Sequence, residues 1–385
     1  MRRVVALLAL VALALSGCGG SDQASQPVGA GVGFHPVAGT FKPDDTKLSA
    51  CSADTRCLEQ AFGNLAYQQG PKAALSVFDR DMRTDKAVES DCHRIAHTIG
   101  SASLARNDGN VAKTFAQGSA SCWSGYYHGI LERAFFGIQT QAGLGRVARK
   151  VCDDAGIHAN TYLYYQCVHG LGHGLMIQSG YDMPVALDVC DRLSSDWDRT
   201  SCSGGVFMEN ISSSYGFKSP WLKDKDLVYP CDSRIVKRNF KVYCYLMVTS
   251  RILQANGYDW KRAAKICRDV ERAWVGTCFQ SFGRDASGFT RQNPRRILPL
   301  CRIAGSGSSD CIYGAARDMS SNYAGGREAS VLCKLAPQSE RARCFNGIGT
   351  ILGSLHAETA GRRAACAQIT KRYRRPCARG AGVPA

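Results

Sequence analysis

Hydrophobic and polar positions beyond about residue 150 follow a repeating two-helix pattern. A short segment with helical spacing, such as 260–267, ends at a cysteine and is followed by a polar turn. After the next cysteine comes a longer helical segment, such as 311–319. Sustained alternation of apolar and polar residues, which marks a half-buried strand, does not occur. The pattern predicts an all-α protein built from helical hairpins.

The cysteines mark the same repeat. From residue 152 they fall into pairs that are 10 to 15 residues apart, and the last four second members recur every 33 residues. A fixed period in this range is typical of a stacked array. We therefore expect a solenoid with a period of about 33–45 residues, in which one disulfide joins the two helices of each hairpin. The expected partners are Cys152 and Cys167, Cys190 and Cys202, Cys231 and Cys244, Cys267 and Cys278, Cys301 and Cys311, Cys333 and Cys344, and Cys366 and Cys377.

The region before these pairs is less regular. Helical patterns occur at 56–69, 72–81 and 87–106, which predicts irregular helical repeats over 48–150. Regular repeats are expected over 151–378, followed by a tail at 379–385. Cys51 with Cys57 and Cys92 with Cys122 are candidate disulfides, although the spacing does not fix their pairing. The chain has 19 cysteines, and so high a number favours an oxidising compartment, where disulfides persist.

The first residues indicate export. Two arginines precede an apolar stretch, 4–15, whose rise of about 18 Å as a helix is too short for a hydrocarbon core of about 30 Å. The following Leu15-Ser16-Gly17-Cys18 resembles the bacterial lipobox, which implies cleavage before Cys18 and lipidation of that residue. We expect a lipoprotein signal peptide at 1–17, a flexible tether at 18–47, and a lipid-anchored protein in the cell envelope, outside the cytoplasm. The alternative is an ordinary secretory signal.

The cysteine layout from 152 to 377 resembles that of the cysteine-rich Sel1-like helical-hairpin repeat proteins. In that family a disulfide also bridges the two helices of each unit. The resemblance is one of layout and carries no functional residue. A small residue also recurs three positions after the second cysteine, which predicts close approach of packed helices; these positions are Gly125, Gly170, Gly205, Ser281, Gly314 and Gly347.

Histidines supply the candidate chemistry. Six of the eight fall between residues 93 and 173, and four of them form two HxxxH pairs. Residues four apart share one face of a helix, and equivalent helices of a solenoid are neighbours about 8–10 Å apart, so these side chains can converge. The candidate metal ligands are His93, His97, His128, Glu132, His169 and His173. His97 is one position out of step with His128 and His173 when counted from the preceding cysteine.

Imidazole and carboxylate ligands suit zinc, copper or iron, and non-covalent haem held by two histidines is a further option. No CxxC motif is present, which excludes covalent c-type haem and zinc ribbons. HExxH and GxSxG are also absent, so catalytic residues stay unassigned, with Glu132 and Glu209 as candidate bases of an enzyme. The alternative is that the histidines are structural.

The net charge of +16 favours anionic partners. Arg284-Asp285 and Arg317-Asp318 occupy the same repeat positions and predict either an ion-pair ladder or an anion-binding row in a concave groove. The aromatic-bearing segment 215–225 is a candidate lid or contact loop. Nucleic-acid motifs are absent. Three hypotheses follow: a metal- or haem-binding scaffold, a solenoid that binds an envelope protein or anionic polymer, and a metal-dependent hydrolase or oxidase.

Overall fold

Twenty α-helices and no strand make up the part of the chain that the structure describes, which confirms the predicted all-α class. In this computed structural model the described residues are 41–119, 121–138, 140–211, 219–323, 325–356 and 358–383. The helices are α1 (Thr55–Gln69), α2 (Pro71–Thr84), α3 (Lys86–Ser90), α4 (Cys92–Arg106), α5 (Val111–Phe115), α6 (Gly125–Ala134), α7 (Gln141–Lys150), α8 (Ala155–His158), α9 (Thr161–Gln178), α10 (Met183–Asp191), α11 (Asp196–Ile211), α12 (Lys241–Ala255), α13 (Trp260–Asp269), α14 (Val275–Phe289), α15 (Pro294–Ile303), α16 (Ser308–Asn322), α17 (Arg327–Leu335), α18 (Arg341–Leu355), α19 (Thr359–Ile369) and α20 (Arg374–Gly380). The predicted signal peptide, Cys18 and residues 18–40 of the predicted tether lie outside the described residues.

The helices form two rows, as a solenoid of hairpins requires. In the inner row each helix packs on the next, in the order α1, α4, α6, α9, α11, α12, α14, α16, α18, α20. The shorter helices between them form the outer row, where α13, α15 and α17 pack successively. Each hairpin can bury its apolar faces only against its neighbours. The inner row carries the histidines and is therefore the part that positions the site.

Side-chain caps define where many helices begin. Asn160 accepts hydrogen bonds from the first backbone N–H groups of α9, and Asp259 does the same for α13. Pro71 and Pro294 stand in the first turn of α2 and α15, where a missing N–H costs nothing. The predicted helix at 87–106 is interrupted at Asp91, so that α4 begins at Cys92.

Within the described residues, nine disulfides hold the hairpins together, with Cα–Cα distances of 5.2 to 6.1 Å. Each of the seven pairs predicted from Cys152 onward is confirmed. The two candidate pairs Cys51–Cys57 and Cys92–Cys122 also form. These bonds join neighbouring segments near their shared turn, so they fix each hairpin rather than linking distant repeats.

The recurring small residues allow inner helices to touch, as predicted. A Cβ at Gly205 would lie 2.0 Å from the carbonyl oxygen of His169, and one at Gly314 would lie 2.0 Å from that of Gln280. No larger residue fits at such distances without moving a helix. Ser281 occupies the same repeat position and accepts a hydrogen bond from the backbone N–H of Thr249 at 3.2 Å.

The inner row curves so that its earlier helices contact its later ones. Helix α9 contacts α18, and the indole Nε1 of Trp123 donates to Asp318 Oδ1 at 2.8 Å across 195 residues of sequence. Arg291 forms an ion pair with Glu89 at 3.2 Å. The concave face of the solenoid is consequently enclosed by both its N-terminal and its C-terminal repeats.

The described start of the chain packs on α1. Phe41 contacts the ring of Tyr67, and the backbone N–H of Asp44 donates to Asn64 Oδ1 at 3.0 Å. Residues 41–47, which the sequence places in the tether, are thus attached to the first helix. None of the helices in the described part of the chain is both long enough and apolar enough to cross a membrane.

Candidate metal centre

Three neighbouring inner helices bring five histidines into one cluster. Helix α4 carries His93 and His97, α6 carries His128, and α9 carries His169 and His173. Their ring centroids are separated by 4.4 to 5.7 Å in each of the contacting pairs. All except the partly buried His93 are buried. The convergence predicted from the two HxxxH pairs is therefore present.

On α4, both histidines use Nδ1 to bind oxygen atoms of α6 and its preceding turn. His93 Nδ1 lies 3.1 Å from the carbonyl oxygen of Cys122. His97 Nδ1 lies 2.5 Å from Glu132 Oε1. The disulfide Cys92–Cys122 joins the two segments beside these contacts.

The second pair repeats this arrangement two inner helices further along the solenoid. His169 Nδ1 lies 3.2 Å from the carbonyl oxygen of Ser201, and His173 Nδ1 lies 2.9 Å from Glu209 Oε2. In each pair the first histidine bonds to a backbone carbonyl and the second to a buried glutamate of the next inner helix. Two inner helices, α4 and α9, thus build the same half of a site on either side of α6.

These partners fix the tautomers. A carbonyl or carboxylate oxygen can only accept, so the imidazole must donate from Nδ1, which leaves the lone pair on Nε2. Yet His93 Nε2 and His97 Nε2 lie 3.0 Å apart. Two lone pairs at this distance repel each other, whereas two nitrogens this close can both reach one ion at about 2.0–2.1 Å.

His128 is the ring between the two pairs. Among the described residues, neither of its nitrogens has a hydrogen-bond partner, and the same holds for His173 Nε2. The two rings stack at 4.4 Å between centroids. Unpaired polar atoms this deeply buried are rare and costly, and imidazole nitrogens are donor atoms that suit transition metals.

Three overlapping sets of side chains have ligand atoms within 4.8 Å of one another, so the cluster could hold a metal ion. His128 belongs to two of these sets, and Glu132 appears in one. The sets, each of three residues, are His93, His97 and His128; His128, His169 and His173; and His97, Glu132 and His173.

Burial keeps the imidazoles neutral. It lowers the pKa of His93 to about 3, of His97 to about 4 and of His169 to about 3. The pKa values of His128 and His173 are lowered well below the ordinary value by burial and by neighbouring histidines. Neutral imidazole is the form that binds metals.

A further layer of contacts fixes Glu209. The hydroxyl of Tyr181 donates to Glu209 Oε1, and the indole Nε1 of Trp221 donates to the carbonyl oxygen of Tyr181 at 2.8 Å. Trp221 comes from the aromatic segment 215–225, of which residues 215–218 lie outside the described part. The described portion of this segment therefore positions Tyr181, which in turn holds the glutamate that bonds to His173.

All six residues predicted as ligands lie together. Glu132 has two possible roles, since it belongs to one ligand set and also bonds to His97. Glu209, considered as a base, accepts from His173 instead. The sequence held a signal for this role, because Glu132 and Glu209 follow the second histidine of their pairs by 35 and 36 residues. The one-position offset of His97 does not keep it out of the cluster, since its ring lies 5.5 Å from that of His128 and 5.7 Å from that of His173.

Comparisons of the chain with protein-family models, with curated proteins and with solved structures find no match.

Proposed function

We propose that this protein is a metal-binding scaffold of the cell envelope, in which the histidine cluster of α4, α6 and α9 holds a transition-metal ion. His93, His97, His128, His169 and His173 would supply the ligands. Imidazole ligands without thiolate suit zinc, copper or iron. Glu132 and Glu209 would orient His97 and His173 and increase their basicity, because each accepts the Nδ1 proton.

One observation carries the proposal. His93 and His97 place their Nε2 atoms 3.0 Å apart while both Nδ1 atoms bond to oxygens. A proton on one ring would also relieve the repulsion, but the pKa values of about 3 and about 4 make that form rare at neutral pH. A cation between the two nitrogens resolves the contact.

A single ion fits this cluster better than haem. The imidazole rings contact one another at 4.4 to 5.7 Å, and the cavity beside His128 and His169 has a volume of about 150 Å³. Pockets for drug-sized ligands measure about 300–1,000 Å³. We therefore favour a metal ion coordinated directly by the protein.

Binding is also favoured over hydrolysis. A metal-dependent hydrolase needs a general base within reach of its substrate. The two carboxyl groups of the cluster, Glu132 and Glu209, already accept hydrogen bonds from imidazoles. Neither is placed as a free base.

The proposed location rests on two features. Leu15-Ser16-Gly17-Cys18 resembles a lipobox, which supports a lipid anchor on Cys18. Nine disulfides within the described residues support a compartment outside the reducing cytosol, since structural disulfides persist in oxidising surroundings.

The test is metal binding by the full-length oxidised chain, purified in detergent and stripped with a chelator. We expect zinc and copper(II) to bind stoichiometrically in competition with a coloured chelator. The double variant His97→Ala/His173→Ala should lose at least about 100-fold in affinity, since outer contacts alone alter affinity by 10–100-fold. The matched control is His158→Ala, which removes an exposed histidine outside the cluster.

Metal bound equally well by the double variant would overturn the proposal. So would the absence of binding by the unaltered chain when circular dichroism shows it to be fully helical. If the unaltered chain binds metal and the double variant does not, the elemental content of the protein isolated from cells identifies the ion.

A further inference from the structure

The concave face contains a partly open cavity of about 150 Å³ next to the histidine cluster. His128 and His169 form part of its wall on one side, and helices α14 and α16 of later repeats form the other. The cavity exists because the solenoid curves, as the hydrogen bond from Trp123 to Asp318 shows. The lining residues used below are Trp123, Tyr165, Tyr243, Arg284, Arg317 and Asp318.

Aromatic rings dominate the end of the cavity near the histidines. Tyr165 stacks on His169 with centroids 5.5 Å apart, and Tyr243 and Trp123 line the same space. A cavity of about 150 Å³ with apolar walls is known to accept a molecule as large as benzene. Volume and lining together fit one aromatic ring with a small substituent.

The charged side chains that line the cavity determine which substituent the aromatic ring of the ligand carries. Arg284 is paired with Asp285 at 3.0 Å, and Asp285 also accepts from Ser250 Oγ at 2.7 Å, so this guanidinium is neutralised by the protein. Arg317 forms no ion pair among the described residues, and its buried Nε has no hydrogen-bond partner there. Its guanidinium carbon lies 5.8 Å from the ring of Tyr313.

One acid, Asp318, also lines the cavity. It accepts the indole proton of Trp123, and burial raises its pKa to about 6. Asp318 is therefore mostly ionised at neutral pH, but it is readily protonated when a second anion comes near. The unused donor of Arg317 is the feature that requires a ligand acceptor.

We propose that this cavity binds a small aromatic carboxylic acid, with its ring among Tyr165, Tyr243 and Trp123 and its carboxylate on Arg317. Guanidinium and carboxylate have matching planar geometry. The expectation that the bound acid lies beside a metal ion rests on the proposed function, whereas the binding of the acid to the cavity does not. The ligand would lie against His128 and His169 and so adjoin the ion.

Isothermal titration of the metal-free full-length chain tests the binding. We expect saturable binding of benzoate at one site. Benzamide has the same shape without the charge, and acetate has the charge without the ring, so each should bind at least about tenfold more weakly, the loss of a single good interaction. Acetate binding as tightly as benzoate would overturn the proposal, as would no binding of benzoate.

Variants assign the site. Arg317→Gln should weaken benzoate binding at least about tenfold, while Asp318→Asn should tighten it because a repelling charge is lost. The matched control is Arg343→Gln: Arg343 lies over the same Tyr313 ring at 5.1 Å but outside the cavity. Unchanged binding by Arg317→Gln, with helicity intact, would contradict the assignment.

A second arm separates this inference from the proposed function. In cobalt- or copper-loaded protein, benzoate should shift the visible spectrum with the same dissociation constant as in calorimetry. Benzoate binding without any metal binding would support the cavity and overturn the proposed function. Metal binding without benzoate binding would support the proposed function and overturn the assignment of the cavity.

Discussion

His93 and His97 hold their Nε2 atoms 3.0 Å apart although both rings donate their Nδ1 protons to oxygens. Within a metal-free core this contact is unfavourable, since neither nitrogen has a proton to share. Two inner helices further on, His169 and His173 bond to a carbonyl and a glutamate in the same way. The same arrangement, a histidine pair bonded to one carbonyl and one glutamate, therefore occurs twice, and His128 lies between the two pairs.

The carboxylate behind His173 should tune the affinity for metal. Glu209→Gln keeps an oxygen that can accept from His173 Nδ1 but removes the negative charge, so the imidazole becomes a weaker ligand. We expect a loss of about 10–100-fold in affinity, measured by chelator competition. Glu358→Gln, at an exposed carboxylate, is the control, and equal affinities in the two variants would show that Glu209 plays no part.

The metal-free protein should lose stability in mild acid. Folded-state pKa values of about 3 for His93 and His169 and about 4 for His97 lie below the ordinary 6.5. As the pH falls below 6.5, the unfolded chain takes up protons that the folded chain does not. This stability is thus present above pH 6.5 and is lost toward pH 4.

Each neutral histidine should contribute roughly 1.4 kcal/mol per pH unit within that window. Urea unfolding of chelator-treated protein at pH 7.5 and 5.5 measures the slope. In the variant His93→Ala/His169→Ala the dependence should become shallower. An identical slope in variant and parent would contradict the assignment of neutral buried imidazoles.

Close contact between α4 and α6 should be necessary for the site. A Cβ at Gly129 would lie 1.9 Å from the carbonyl oxygen of His97, so Gly129→Ala must push the two helices apart. We expect the free energy of unfolding to fall by about 1–3 kcal/mol, together with weaker metal binding, because His128 moves away from His97.

Gly288 is the matched control for this change. It is also helical, but a Cβ there meets no atom within 4 Å. Gly288→Ala should therefore stabilise the protein by about 0.5–1 kcal/mol through helix propensity alone. Denaturant titrations of both variants give the comparison, and destabilisation of equal size in the two would show that helix contact at Gly129 is not the cause.

The sequence was sufficient to predict the solenoid and the histidine cluster because both depend on local spacing. The period of 33 from Cys278 to Cys377 marks the hairpins, and the HxxxH spacing puts two imidazoles on one helical face. Any residue offers a carbonyl, so the partners of His93 and His169 at Cys122 and Ser201 left no trace in the sequence.

The cavity could not be predicted for a different physical reason. Trp123 and Asp318 are 195 residues apart, and their contact depends on small rotations that accumulate from repeat to repeat. The sequence shows that Arg284 and Arg317 occupy equivalent positions, but not that Asp285 neutralises one while the other faces the histidines.

X-ray absorption at the zinc edge of the full-length protein, loaded with one equivalent of zinc, tests the central claim most directly. The account predicts at least three imidazole ligands, as in each all-histidine set, with Zn–N distances of about 2.0–2.1 Å. In His97→Ala/His173→Ala this imidazole signature should be lost. A sulfur shell at about 2.3 Å, or zinc bound without imidazole, would contradict the account.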